Sequence, residues 1–153
     1  MKISKKGEYA LKALIELAIN YDKGVTATLI NEIAEQENIP PKYLEQILLN
    51  LKNAGILISK RGVGGGYALS RSPKEISLGE IIRIVDGPLA PLDCVSKSRH
   101  LNCPDEPYCG LYSVMLDVRN AISNIVDNIC LDDIAKRTLE LVKRKKGVLS
   151  YTI

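Results

Sequence analysis

The stretch IPPKYLEQILLNLKNAGILISKRGVGGGYALS, residues 39–70, decides the fold. Pro40 and Pro41 suit a first helical turn, where a missing N–H costs nothing. After them Tyr43, Leu44, Ile47, Leu48 and Leu51 recur at helical spacing, and Gly55 can take the left-handed conformation that closes a helix. ILISK (56–60) then alternates like a strand, RGVGGG is a flexible basic tip, and YALS (67–70) returns as a second strand. Gly62, Gly64, Gly65 and Gly66 permit positive φ and close approach of backbone to another surface, whereas a plain hairpin needs only two turn residues. No Lys and no Ser or Thr completes a phosphate-binding loop within RGVGGG.

Upstream, TLINEIAEQENI (28–39) reads as a short helix with Leu29, Ile30, Ile33 and Ala34 on one side. Two short helices joined by a brief turn form a helix-turn-helix, and the hairpin behind them is a wing. The second helix presents Lys42, Tyr43, Glu45 and Gln46 near its N-terminus. Residues 4–21 form a further helix, capped by Ser4, with Leu11, Leu14, Ile15, Ala18 and Ile19 at helical spacing. Downstream, ISLGEIIRIVDGP (76–88) is a helix ended by Gly87 and Pro88. From about Leu111 to Asn128 a long helix carries Leu111, Val114, Met115, Val118, Ala121, Ile122, Ile125 and Val126, and a last helix covers roughly 131–143. The long stripe mixes steps of three and four, as a helix packing along another helix does. Burying six large side chains there at roughly 1.5–3 kcal/mol each gives a gross term on the order of 10 kcal/mol, enough for a two-fold homodimer.

The predicted fold is mainly α with a small β-hairpin wing: a winged helix-turn-helix domain plus a long C-terminal dimerisation helix. Residues 1–86 are the winged helix-turn-helix domain, 87–110 a cysteine loop, 111–143 the dimerisation helices and 144–153 a basic tail. With 153 residues the chain is one domain, or one small domain with an appendage, and 46% hydrophobic with 25% charged residues is ordinary for a globular protein. It has no Trp and no Phe, so Leu, Ile, Val and Tyr must build the core. A net charge of +3 and a pI of about 8.6 are mildly basic and say little about nucleic acid by themselves. Lys143, Arg144, Lys145 and Lys146 read as a solvated run that adds weak phosphate attraction. No apolar run approaches the roughly 18 residues of a membrane span, and the start lacks a secretory signal, so the expectation is a cytoplasmic protein with no membrane partner.

CVSKSRHLNCPDEPYCG, residues 94–110, raises a different question. It places Cys94, Cys103 and Cys109 in a segment too rich in proline and charge to be helix or core. In a reducing cytosol such thiols point to metal or redox chemistry before disulfides. Thiolates select zinc, Cu(I) or iron–sulfur clusters. Structural zinc usually wants four ligands with a C-x2-C pair, which is absent, and the spacing departs from the ferredoxin runs. Spacing therefore leaves the metal open, with free or disulfide-forming thiols as the alternative. Cys130 reads as a buried small residue. A single histidine and no paired base and nucleophile argue against an enzyme.

MKISKKGEYALKALIELA, KYLEQIL, RGVGGGYALS and ISLGEIIRIVDGP resemble, in order and spacing, the winged-helix regulators typified by IscR, NsrR, RirA and CymR. The resemblance covers the chain to about residue 143. It implies a DNA-binding transcriptional regulator, read as a repressor, that binds a palindromic double-stranded operator as a homodimer. Many members similar to this chain hold an iron–sulfur cluster on three cysteines between wing and long helix. Cys94, Cys103 and Cys109 match that place, and 2Fe–2S is favoured over 4Fe–4S. The IscR type has a histidine three positions after the last cysteine, where this chain has Tyr112. Other members are similar in using a carboxylate from the first helix of the other subunit, which puts Glu8 first as fourth ligand. An exogenous ligand ranks next, with His100 and Tyr112 lower. In this reading Tyr43, Glu45 and Gln46 meet base edges, Lys42 meets phosphate or guanine, and Arg61 enters the minor groove. Gly64 and Gly65 let the wing approach closely, and Ser4, Lys5 and Lys6 hold phosphates. The alternative is a cluster-free, CymR-like repressor controlled by a partner enzyme or by thiol oxidation.

Overall fold

The computed structural model of the chain describes residues 2–150, with side chains as far as residue 147. The first helix, α1 (Lys5–Asp22), starts at Ser4, whose Oγ accepts the Gly7 N–H at 3.0 Å. That satisfies one of the donors a helix start leaves open. Its buried face carries Gly7, Ala10, Ala13, Leu14, Leu17 and Ala18. Short side chains along this face let neighbouring elements approach the helix backbone.

Next come α2 (Ile30–Glu37), α3 (Pro41–Asn53), β1 (Leu57–Lys60), β2 (Gly66–Leu69) and α4 (Leu78–Val85). Asn38 closes α2 in the left-handed region at φ 52°, which asparagine tolerates better than most residues. Pro41 opens α3, and Leu44, Ile47, Leu48 and Leu51 face inward. The hairpin is antiparallel, pairing Leu57 with Leu69 at its base and Lys60 with Gly66 at its far end. Thr28, in the loop before α2, bridges to Tyr67 with N–H···O distances of 2.9 and 2.8 Å. Gly66 at φ 132° permits this approach, because a Cβ there would meet the Thr28 carbonyl. The wing is thus stitched to the helices at its base. α1 packs against α2, α3, β2 and α4, and the fully buried core is aliphatic, with Tyr9 and Tyr67 packed at its edge.

The remaining helices are α5 (Gly110–Val126) and α6 (Leu131–Ser150). α6 runs past residue 143, where the sequence reading ends it, so residues 144–150 of the expected tail are helical and 151–153 lie outside the described residues. Lys and Arg are good helix formers, and cations suit a helix C-terminus, so a basic run does not stop a helix. The start of α6, assigned by sequence to the dimerisation segment, belongs to the winged-helix core. Leu131 and Ala135 are buried at 0% and 1% exposure, and α6 packs against α1. Backbone bonds from Leu78 N–H to Ile129 O (2.8 Å) and from Leu131 N–H to Ile76 O (2.9 Å) hold the α5–α6 corner onto the start of α4.

The stripe expected on α5 divides into two faces. Met115, Ile122 and Val126 turn toward the protein, where Val126 and Ile122 pack with Leu78, Ile82 and Leu89. Leu111, Val114, Val118 and Ile125 are exposed by 59%, 57%, 38% and 62%. With exposed Ala121 they recur in steps of three, four, three and four, the spacing of a coiled-coil seam. No helix among the described residues is long and apolar enough to cross a membrane.

The Arg83 guanidinium clasps Asp127 at 2.6 and 2.9 Å, joining α4 to the end of α5. Those hydrogen bonds hold the Asp127 carboxyl below its ordinary range. A depressed value means the stabilisation is present at neutral pH and is lost as pH falls through the folded value. Both side chains are about two-fifths exposed, so the pair contributes less than about 1 kcal/mol. Asp127→Asn is expected to lower the urea midpoint at pH 7 and to converge on the parent protein in acid below the aspartate range.

Candidate nucleic-acid interface and cysteine loop

Burying Leu44, Ile47, Leu48 and Leu51 turns the opposite face of α3 to solvent. That face carries Lys42, Glu45, Gln46 and Leu49, spaced as one helical stripe. Leu49 is half exposed and was missed by the sequence reading, although its spacing from Lys42, Glu45 and Gln46 already placed it there. Tyr43 is less free than expected. Its ring packs edge-on against Tyr9 at 5.7 Å and 78°, and the Lys5 ammonium sits 5.1 Å from the Tyr9 ring. This cluster holds the first turns of α1 and α3 side by side. Lys6, Lys42 and Arg61 have no internal ion pair among the described residues, so their charge is available to an external anion.

Ser4 departs from its expected role. Its N–H donates to Asp86 at 2.8 Å, and its hydroxyl donates to the other oxygen of the same carboxylate. Both donors are therefore spent on the end of α4, and Ser4 positions α1 instead of offering itself to a phosphate. Gly7 is required beside it, because a Cβ would strike Asp86 and Ile3. Nothing in the local sequence signals this contact, which joins residues 82 positions apart.

At the wing tip the Gly65 N–H donates to Gly62 O at 3.0 Å, and Gly62 and Gly64 have φ of 86° and 73°. Gly64 faces open space, whereas a Cβ on buried Gly65 would collide with the Lys60 and Gly62 carbonyls. Gly65 thus closes the turn from inside. Arg61 is exposed beside Val63, whose side chain is wholly exposed.

The cysteine loop contains two short 3-10 turns, Asp93–Val95 and Glu106–Tyr108. Cys94 and Cys109 are half-buried, Cys103 is exposed, and all are free thiols. Cys109 caps α5, its Sγ accepting the Tyr112 N–H at 3.4 Å. Glu106 gathers the two lower-ranked ligand candidates: His100 Nε2 lies 3.3 Å away, and the Tyr112 phenol is bonded to it. The Tyr112 pKa is raised chiefly by that hydrogen bond, with a smaller contribution from the charge of Cys94. Through its backbone N–H, Tyr112 also touches the third cysteine, Cys109.

The donor set fits a soft metal group: three thiols on one loop, one of them at a helix N-terminus, where anionic sulfur is favoured. Among the described residues the trio is not drawn within 4.8 Å, as Cys130, Asp132 and Asp133 are. A single tetrahedral zinc with bonds of about 2.3 Å needs its ligands roughly 3.8 Å apart, whereas ligands on different irons of a cluster stand further apart. Glu8 does not join the loop thiols within its own chain. It binds Lys5 at 2.9 Å and Lys12 at 3.3 Å, which lower its pKa and keep it anionic. Cys130 is half-buried, not buried. Its N–H and S–H both donate to Asp133 at 3.0 Å, capping α6, while Asp132 pairs with Lys136 at 2.7 Å.

Comparison with known proteins gives a consistent picture. The sequence profile of the Rrf2 family, described as "Iron-dependent Transcriptional regulator", matches residues 3–137. The HTH-type transcriptional regulator CymR of Bacillus subtilis is 36% identical over 138 residues, covering 90% of this chain and 92% of CymR. The HTH-type transcriptional regulator IscR of Pectobacterium carotovorum is 30% identical over 154 residues, covering 99% of this chain and 91% of that protein. The solved structure of CymR (YrzC), the global cysteine regulator of B. subtilis, is similar with a TM-score of 0.73 at 34% identity, over 90% of this chain and 98% of that one. The structure of T. potens IscR gives 0.71 at 31% identity, over 90% and 88%.

The wing geometry separates two neighbouring positions. Gly65→Ala is expected to cost about 1–3 kcal/mol through overpacking against backbone. Val63→Ala, at the open tip, is expected to change stability by less than about 0.5 kcal/mol. Urea unfolding of the two variants checks the contrast.

Proposed function

The chain belongs to the Rrf2 family of transcriptional regulators, and from that premise we propose that it is a homodimeric repressor of a palindromic operator whose cysteine loop holds an iron–sulfur cluster. The observation that carries the reading is the placement of three free cysteines between the DNA-reading elements and α5. The open seam of Leu111, Val114, Val118, Ala121 and Ile125 supports pairing of α5 with its copy in a second subunit. Such a dimer sets two α3 helices about one DNA turn, roughly 34–36 Å, apart.

In the major groove Gln46 pairs with adenine, Glu45 accepts from the cytosine amino group, and Leu49 covers a thymine methyl. Lys42 meets guanine or phosphate, and Lys6 attracts phosphates at the start of α1, whereas Lys5, expected to do the same, is taken up by Glu8. Arg61 enters the adjacent minor groove beside Val63. Tyr43 acts through Tyr9 to hold α3 against α1.

Cys94, Cys103 and Cys109 would hold the cluster, with Glu8 of the partner subunit as fourth ligand; 2Fe–2S is the favoured form. When bound, the group supplies a tie that is sensitive to oxidants and to iron supply. Lys5 and Lys12 keep Glu8 in the ionised form in which a carboxylate ligates. Cys109 fixes the start of α5, so the state of the loop bears on the angle between reader and dimer seam. The likeness to CymR favours a second reading, a cluster-free repressor controlled by a partner enzyme or by thiol oxidation.

Protein purified without oxygen is expected to be coloured and to contain iron and acid-labile sulfide, whose counts fix the nuclearity. The Cys94→Ala, Cys103→Ala, Cys109→Ala protein is expected to be colourless and to bind the operator at least about tenfold differently at fixed salt, a change of about 1.4 kcal/mol. Colourless parent protein with unchanged operator binding would leave the cluster-free reading. In operator titrations Gln46→Ala is expected to relax preference at one base pair by about 1–3 kcal/mol. Lys42→Ala instead weakens all sequences and lowers the salt slope by about one.

A further inference from the structure

Arg119 lies on α5 with only 9% exposure, and among the described residues its Nε and Nη1 have no hydrogen-bond partner. A guanidinium buried without a carboxylate is costly, and proteins keep one where something else completes it. It lines a cavity of about 90 Å³ together with Arg83, Ser96, Lys97, Ser98 and Ser123. Among the described residues no acidic side chain lines this cavity. Arg83 is already neutralised by Asp127, and Lys97 also lies in the field of that carboxylate, which leaves Arg119 as the uncompensated charge. The cavity adjoins a wider cleft of about 320 Å³ that shares Arg83 and Ser98 and adds Arg99. A cavity several times larger than the 10–15 Å³ or so that one water needs admits a small ionised head, and the adjoining cleft admits the body that carries it.

We propose that this cavity is a binding site for a small oxyanion, a carboxylate- or phosphate-bearing metabolite, held by Arg119 with Lys97 and the hydroxyls of Ser96 and Ser123. Guanidinium binds either anion with paired N–H donors, and serine hydroxyls satisfy the remaining oxygen lone pairs. Arg119 and Ser123 stand one helical turn apart, on the side of α5 turned to its own loop. The exposed seam at Val114, Val118 and Ile125 faces elsewhere, which disfavours a carboxylate from a second copy as the occupant. The site joins the end of α4, the residues just after Cys94, and α5. Its occupancy therefore fastens the base of the cysteine loop to the dimer helix, whether or not the loop carries a cluster.

The test uses the full chain, titrated with inorganic phosphate and separately with acetate against chloride at constant ionic strength, followed by calorimetry and thermal unfolding. Saturable binding of either anion, with a rise in Tm, is expected, and the anion that binds more tightly identifies the head group. Arg119→Met is expected to lose the response entirely while its unliganded Tm stays level or rises, because the unpaired charge is gone. Ser123→Ala, a milder change, is expected to bind at least about tenfold more weakly if its hydroxyl bonds the charged ligand. A response equal in parent and variants, or none beyond chloride, overturns the proposal. So does a dimer, measured by sedimentation, that dissociates in Arg119→Met and with added anion, for then a partner's carboxylate fills the site.

Discussion

One buried helix face carries the rest of the molecule. Gly7, Ala10, Ala13 and Ala18 along α1 are short enough for α2, α3, β2, α4 and α6 to seat against one helix. Dense interiors tolerate little added volume, so the geometry of the reader is set by what α1 does not carry. The start of that helix is fixed by Ser4 and Asp86, which lock it to α4 across most of the reading domain. Tyr9 and Lys5 then bring the first turn of α3 alongside. The exposed stripe of α3 and the tip of the wing are in this sense products of packing that lies behind them.

Features that depend on local pattern were legible in the amino-acid sequence. The apolar spacing of α3, its proline start and the glycine-rich hairpin place the reader within a residue or two of where it stands. The cysteine loop was equally plain, since prolines and charges exclude a helix there. Tertiary partners were not legible. Ser4 reads as a phosphate ligand until Asp86 is seen to occupy both its donors. Gly65 reads as a point of close approach until the Lys60 carbonyl is found where its side chain would be. A basic run after residue 143 reads as tail, although nothing in Lys or Arg opposes a helix. The α5 stripe was counted as one face, and only the packing of Val126 and Ile122 against α4 divides it into an inner and an outer one.

The basic cavity is lined in part by the cysteine loop itself. Cys94 precedes Ser96 and Lys97 by only two and three positions, and this stretch rests on α5. Thiols face soft metals, while Arg119 and its serine neighbours face hard oxyanions. The two proposed sites would thus act on one segment without sharing ligand atoms. Glu106, holding His100 and Tyr112, gives that segment internal order of its own.

The two ends of α5 are restrained unequally, and this has a mechanical result. Its C-terminal end is riveted to α4 and the core by Asp127 and by the backbone bonds at Ile129 and Leu131. Its N-terminal end hangs on Cys109 and a loop of short turns. A 17-residue helix at about 1.5 Å per residue is a rod of roughly 25 Å. A swing of about five degrees about the Asp127 end would carry the other end, at the thiols, roughly 2 Å. In the proposed homodimer two such rods would lie against each other, so motion at either tip would reach both subunits at once.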